Sequence, residues 1–485
     1  VTAAGVDSRP LRTGGVARVG AIGPLAVLTL LIVLGLLHRG AFYAPWDLLI
    51  PVLAVPLAVW AVAVTGRRIL ARNDVVMVGA LLAFALWWWW AARRGSWADE
   101  RQPVGSAVGF GAAFVVGRGL RDDATVIAQH VVAAVGALSA LVGLVALALR
   151  WEPLVLAAQG HLRLAGTITY SNGTGALLAV ALVVLLTMAP GRVRSVELVV
   201  VTAGLLATQS RGGILAAVIG AVVVWRLIRA PWIGLVLGAL LGAVAVAGSA
   251  AARDRPELLV LTALLPLLAV LPARLPKLSR RATAVAAAVS ALLVVLLAVA
   301  GLAEVVTSRL GTASTSDRAY EWQAGWRTFR AHPLLGQGPG RFTLSDGRTA
   351  RFVHNEPLQA AADAGLVAVG LLALALLAGA SRTIGYPSRR GAAGVMVTLL
   401  VAGSVDFSWH LPAVMMLAGL AVGGSPPLPE RTAFLSELTR HPQIAGEPSP
   451  SPRRGRNMRS WTSESSALAQ TSAACGPPGP PTRRA

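Results

Sequence analysis

The sequence predicts an all-α, polytopic membrane helix bundle, and three observations carry that prediction. Of the 485 residues, 55% are hydrophobic and only 13% are charged, a composition typical of membrane proteins rather than soluble ones. The apolar residues come in runs of roughly 20, the length of helix that crosses a bilayer. The arginines lie in the short connections between those runs, where membrane topology is written. The formal charge of +21 therefore reflects orientation, and no nucleic-acid partner is expected. Cys475 is the single cysteine, which leaves no disulfide framework and no thiolate metal site.

In chain order, strong apolar runs cover residues 20–37, 48–64, 75–92, 124–149, 173–189, 213–228, 231–250, 282–303 and 366–380. Weaker runs cover 104–116, 196–208, 258–271, 391–405 and 411–423, for a total of 12–14 spans. The first run lacks a convincing small-residue cleavage site and reads as a retained helix. Five regions follow: an N-terminus (1–19), a helix bundle (20–303), a polar insert (304–364), closing membrane helices (365–424) and a tail rich in Pro, Ser and Arg (425–485). The tail has no apolar periodicity and reads as disordered. If the insert is external, the inner loops hold nineteen Arg and Lys residues against nine in the short outer loops. The positive-inside rule then puts both termini in the cytoplasm of a plasma-membrane protein.

Polar residues interrupt the apolar pattern at a few places. Thr208-Gln-Ser210-Arg211-Gly212-Gly213 lies inside an apolar stretch too short to carry Arg211 clear of the bilayer. Such an arginine needs a watery cavity or a partner. Within the insert, Trp322, Trp326 and Phe329 share one helical face and Gln323, Arg327 and Arg330 the other, the pattern of a helix lying on a membrane. Arg318 projects from the edge of the aromatic face. Asn172 opens the run at 173 and reads first as an N-cap. Asp406 and His410 read as a solvated hairpin.

The insert ends with Arg351-Phe-Val-His354-Asn355-Glu356-Pro357-Leu-Gln359-Ala-Ala-Ala-Asp363-Ala-Gly365 and runs on into the apolar helix 366–380. Pro357 suits a first helical turn, and Asn355 is placed to cap it. His354 would then stand above a helix N-terminus, whose field opposes a protonated imidazole and favours a bound anion. Gln359 and Asp363, four apart, share a face.

His354-Asn355, Leu358-Gln359 and Gly365, leading into a hydrophobic helix, resemble the signature of the O-antigen ligase and polymerase family. Pro333-Leu-Leu-Gly336, the Gly-x-Gly-x-Phe run and Ser210-Arg211 are similar to the same family, as is the Asn172 position. Where the family commonly has a glutamate, this chain has Asp363. The resemblance implies a membrane glycosyltransferase, or ligase, acting on a glycan carried by a polyprenyl diphosphate such as undecaprenyl diphosphate. The acceptor would be the hydroxyl of a glycan, lipid or protein, with the site facing the outer leaflet. The chemistry of such a transfer agrees: the diphosphate leaving group needs cationic clamps, which Arg211 and Arg318 can supply, and the acceptor hydroxyl needs a general base, for which His354 is the well-placed candidate, with Ser210, Asn355, Gln359, Asp363 and Asn172 in support. No cofactor or metal is needed if the arginines neutralise the diphosphate. A polymerase of the same family would use the same residues. A lipid-linked sugar flippase would explain the spans but not the capped helix on the insert.

Overall fold

The computed structural model describes residues 14–65, 70–95, 101–120, 122–158, 161–225, 232–251, 314–340, 342–381 and 390–425. The expected spans at 258–271 and 282–303, and the tail, lie outside these residues. The protein is an all-α membrane helix bundle with thirteen α-helices among the described residues. They are α1 (Gly14–Leu37), α2 (Trp46–Thr65), α3 (Arg72–Ala92), α4 (Gln102–Gly119), α5 (Asp122–Leu149), α6 (Ser171–Thr187) and α7 (Arg192–Ala207). After them come α8 (Arg211–Val224), α9 (Trp232–Ala251), α10 (Ser314–Ala331), α11 (Glu356–Ser381), α12 (Arg390–Val405) and α13 (Pro412–Gly423). Two short antiparallel hairpins complete it: β1 (Val155–Ala158) with β2 (His161–Leu164), and β3 (Phe342–Thr343) with β4 (Thr349–Ala350). Among the described residues, four helices are long and apolar enough to cross a membrane, and six more are shorter but apolar.

Helix α4 forms the inner axis. It is buried along nearly its whole length, between α2 on one side and α13 on the other. Small residues allow this. A Cβ on Gly419 or Gly423 of α13 would collide with the carbonyl of Phe110 or Phe114, so the two backbones lie in contact as small residues allow in membranes. Both ends of α4 are held by ion pairs to buried carboxylates. Arg101 lies 2.8 Å from Asp47 of α2, and Arg118 lies 3.4 Å from Asp74 of α3. Unpaired, either carboxylate would be costly at such a depth. A second layer packs α8 against α6 and α12, and α7 against α9. The first turns of α6, α8 and α11 and the last turns of α3 and α12 meet at one end of the bundle. Helix α10 packs on α11 there.

Candidate functional site

Helix α11 begins as the sequence expects. Asn355 Oδ1 accepts from Leu358 N at 2.9 Å, and Asn355 Nδ2 donates to Ser404 O at 2.9 Å. One side chain thus caps α11 and ties it to α12. The helix does not run on unbroken, however. Gly365 has φ 74° and ψ −171°, a conformation open to glycine alone. The carbonyls just before it turn to partners outside the helix: Ala362 O accepts from Gln337 N, Asp363 O from Gly338 N and Ala364 O from Trp87 Nε1, at 3.0, 2.9 and 2.8 Å. Leu366 N in turn donates to Pro333 O at 2.9 Å. The Pro333–Gly338 turn, rather than the next helical turn, satisfies this backbone. A Cβ on Gly336 would overlap the backbone of Asp363. The short head of α11, from Glu356 to Ala364, is therefore offset from its membrane half.

Gln359 and Asp363 are buried on that head, with Gln359 Nε2 donating to Asp363 Oδ2 at 2.6 Å. Gln359 Oε1 accepts from Val353 N at 2.9 Å. That bond fixes the strand of chain entering His354, which has a left-handed φ of 50°.

Helix α10 closes the site from above. Its small residues Ala324 and Gly325 are buried, with Gly325 set against Val353 and Leu358. Trp322 and Trp326 are exposed, at 39% and 53%, so the aromatic face looks away from the protein. The site-facing edge carries Arg318 and Glu321. Glu321 Oε2 lies 2.8 Å from His354 Nδ1. Arg318 donates to Val405 O at 2.6 Å and to Asp406 Oδ2 at 3.1 Å.

These contacts act on the ring against the expected field of the helix. Burial disfavours the charged ring, but the hydrogen bond to Glu321 and the charges of Asp406 and Glu321 outweigh it, with Arg318 opposing. The net shift is upward from the ordinary histidine value. The side chains around the ring thus move its pKa upward.

Asp406 is the residue that sequence reasoning undervalued. It is 5% exposed, not solvated, and it joins three elements. Tyr170 Oη donates to its Oδ1 and Asn172 Nδ2 to its Oδ2, both at 2.5 Å, beside the Arg318 pair. Burial, then the Asp406 charge, pushes the Tyr170 phenol well above its usual range and keeps it a donor. Asn172 does not cap α6, because Tyr170 stands at the N-cap position. Its Oδ1 accepts from Arg163 Nη2 at 2.8 Å, and Arg163 also donates to Thr208 O at 3.0 Å. The β1–β2 hairpin that delivers Arg163 had no signal in the sequence. Only long-range contacts, across 234 residues between Asn172 and Asp406, reveal this cluster.

Ser210 caps α8 by accepting from Gly213 N at 3.1 Å. Arg211 is exposed in the first turn, with no hydrogen bond or ion pair among the described residues. Its neighbour Gly212 abuts α12, where a Cβ would fall 2.6 Å from Val405 Cγ2. Arg318 and Gly212, the residue after Arg211, thus meet the same residue, Val405, from two helices.

Residues 196–373 match the family model described as O-antigen ligase. This region belongs to the O-antigen ligase family. No curated protein matches the chain. The O-antigen ligase region contains Ser210, Arg211, Arg318, His354, Asn355, Gln359 and Asp363 and ends in the membrane half of α11. Arg163, Tyr170, Asn172 and Asp406 lie outside it, so the cluster around Arg318 is completed by elements on both sides of the family region. Within a multi-pass membrane protein, this region is similar to the ligase-type enzymes of the glycan ligase and polymerase class.

Proposed function

We propose that this protein transfers a glycan from a polyprenyl-diphosphate carrier to an acceptor hydroxyl at the outer membrane face. One observation carries the reading: His354 and Arg318 meet around Asp406 at the head of α11, beside the α8 turn bearing Arg211. In this scheme His354 takes the acceptor proton and the acceptor oxygen attacks the anomeric carbon. The bond from that carbon to the diphosphate oxygen breaks. Charge then grows on the leaving diphosphate, where fixed cations are most effective. Arg211 and Arg318 supply them, helped by the N-terminal ends of α8 and α11. Arg318 already holds a carboxylate, so it is oriented toward oxygen anions before the donor arrives.

The test uses purified protein in liposomes with a lipid-linked glycan donor. Carrier diphosphate should be released only when a hydroxyl acceptor is added. Movement of intact donor across the bilayer without such release would sink the reading in favour of a flippase. A cysteine at exposed Ser345 should react with an impermeant reagent from outside intact cells, and silence there would invert the orientation.

A further inference from the structure

We propose that Glu321 is the positioning residue of His354, holding Nδ1–H so that Nε2 faces the acceptor hydroxyl. The proposal rests on the reading of His354 as the base. Its foundation is geometric. Glu321 Oε2 stands 2.8 Å from His354 Nδ1. An ionised carboxylate only accepts, so Nδ1 carries the proton and the ring's lone pair lies on Nε2. The side chains of His354 and Glu321 are 26% and 14% exposed. The pair is therefore reachable by substrate, yet dry enough for the contact to outweigh its value in water.

Backbone and neighbours serve the same arrangement. His354 is held at φ 50° by the Gln359 bond to Val353 N on one side and the Asn355 cap on the other. The Phe407 ring meets the imidazole edge-on, with centroids 5.1 Å apart. Rotation of the ring would break the Glu321 bond and leave that carboxylate half-buried without it. Arg318 and Glu321 are three apart on α10, so one helix brings both the leaving-group cation and the group that orients the base. Gly325, one turn further, lets that helix sit down: a Cβ there would fall 2.9 Å from Val353 Cγ1.

The proton balance is simple. The acceptor O–H bond breaks, its proton goes to Nε2, and the new imidazolium faces the Glu321 carboxylate. No proton passes to Glu321. The charged groups acting on the ring are Glu321 and Arg318 of α10 and Asp406 beyond α12.

The experiment measures kcat and donor KM for the reconstituted full chain from about pH 5 to pH 9, across the range where histidine titrates. Glu321→Gln should lower kcat roughly tenfold or more, leave donor KM near native, and move the acid limb of the profile to lower pH, because glutamine no longer favours the imidazolium. Glu321→Asp withdraws the carboxylate by one methylene and should give an intermediate kcat and an intermediate limb. It decides the matter alone if the glutamine variant does not accumulate. Native kcat and a native acid limb in either variant, with His354→Gln inactive, would overturn the proposal and leave the base reading intact. An active His354→Gln would overturn both.

Discussion

Two histidine–carboxylate pairs stand at the head of α11, drawing on residues 354 and 356, and their surroundings are opposite. His354 meets Glu321 at 2.8 Å, with side chains 26% and 14% exposed. His410 meets Glu356 at 2.9 Å, with side chains 1% and 5% exposed. The chemistry of the two contacts is the same, but their access is not. Glu356 also accepts from Trp409 N at 2.6 Å, and Trp88 stands edge-on to the His410 ring. That pair locks the α12–α13 turn onto α11 inside the protein. The first pair lies under a helix that packs through Ala324 and Gly325, and its side chains stay partly exposed. Neither the histidine nor its partner distinguishes the two pairs; their exposure does.

The comparison can be broken most sharply at His354. His354→Gln should lower glycan transfer about 10²- to 10⁴-fold, the usual worth of a general base, with donor binding and accumulation near native. His410→Gln should instead reduce the amount of folded protein, with turnover per folded molecule largely kept. The reverse pattern in the reconstituted assay would exchange the roles of the two pairs.

Stability should separate the carboxylates next. Glu356→Ala strips a buried partner from His410 and should cost about 3–5 kcal/mol, read from denaturant unfolding in mixed micelles. Glu321→Gln, on the more open pair, should cost no more than about 1 kcal/mol. Equal losses would mean that the His354 pair is architectural as well.

Arg318→Lys keeps charge but loses the planar fork that reaches Val405 O and Asp406 together. Donor KM should rise about tenfold, with a larger rise for Arg318→Ala and little change in folding. An unaltered donor KM in both variants would show that Arg318 serves Asp406 only.

The pH response is the next smaller effect. The folded pKa of His354 is raised, so the neutral ring is fully present only on the alkaline side of that value. Native kcat should therefore climb as pH rises through a point above the ordinary histidine value, and fall on acidification. A flat profile would remove His354 from the proton transfer. The smallest effect belongs to the outer face of α10: Trp326→Ser should leave turnover in detergent near native and weaken it modestly in liposomes, where the exposed ring meets lipid.

The sequence by itself determined what depends on local pattern. Apolar runs mark the helices because a bilayer demands internally bonded backbone over a fixed thickness. Asn355 and Pro357 mark the start of α11 because caps act within one turn. The resemblance is likewise carried by short stretches, Ser210-Arg211 and His354-Asn355 among them, whose residues are neighbours along the chain. Only the tertiary structure decided the rest. The break at Gly365 arises from carbonyls taken by Gln337, Gly338 and Trp87, partners that no helical period encodes. The hub at Asp406 joins Tyr170, Asn172 and Arg318 across more than 80 residues on one side and more than 230 on the other. The upward shift of the His354 pKa follows from Glu321 and from Asp406. An electrostatic environment is a sum over neighbours in space, and those neighbours exist only after the chain has folded.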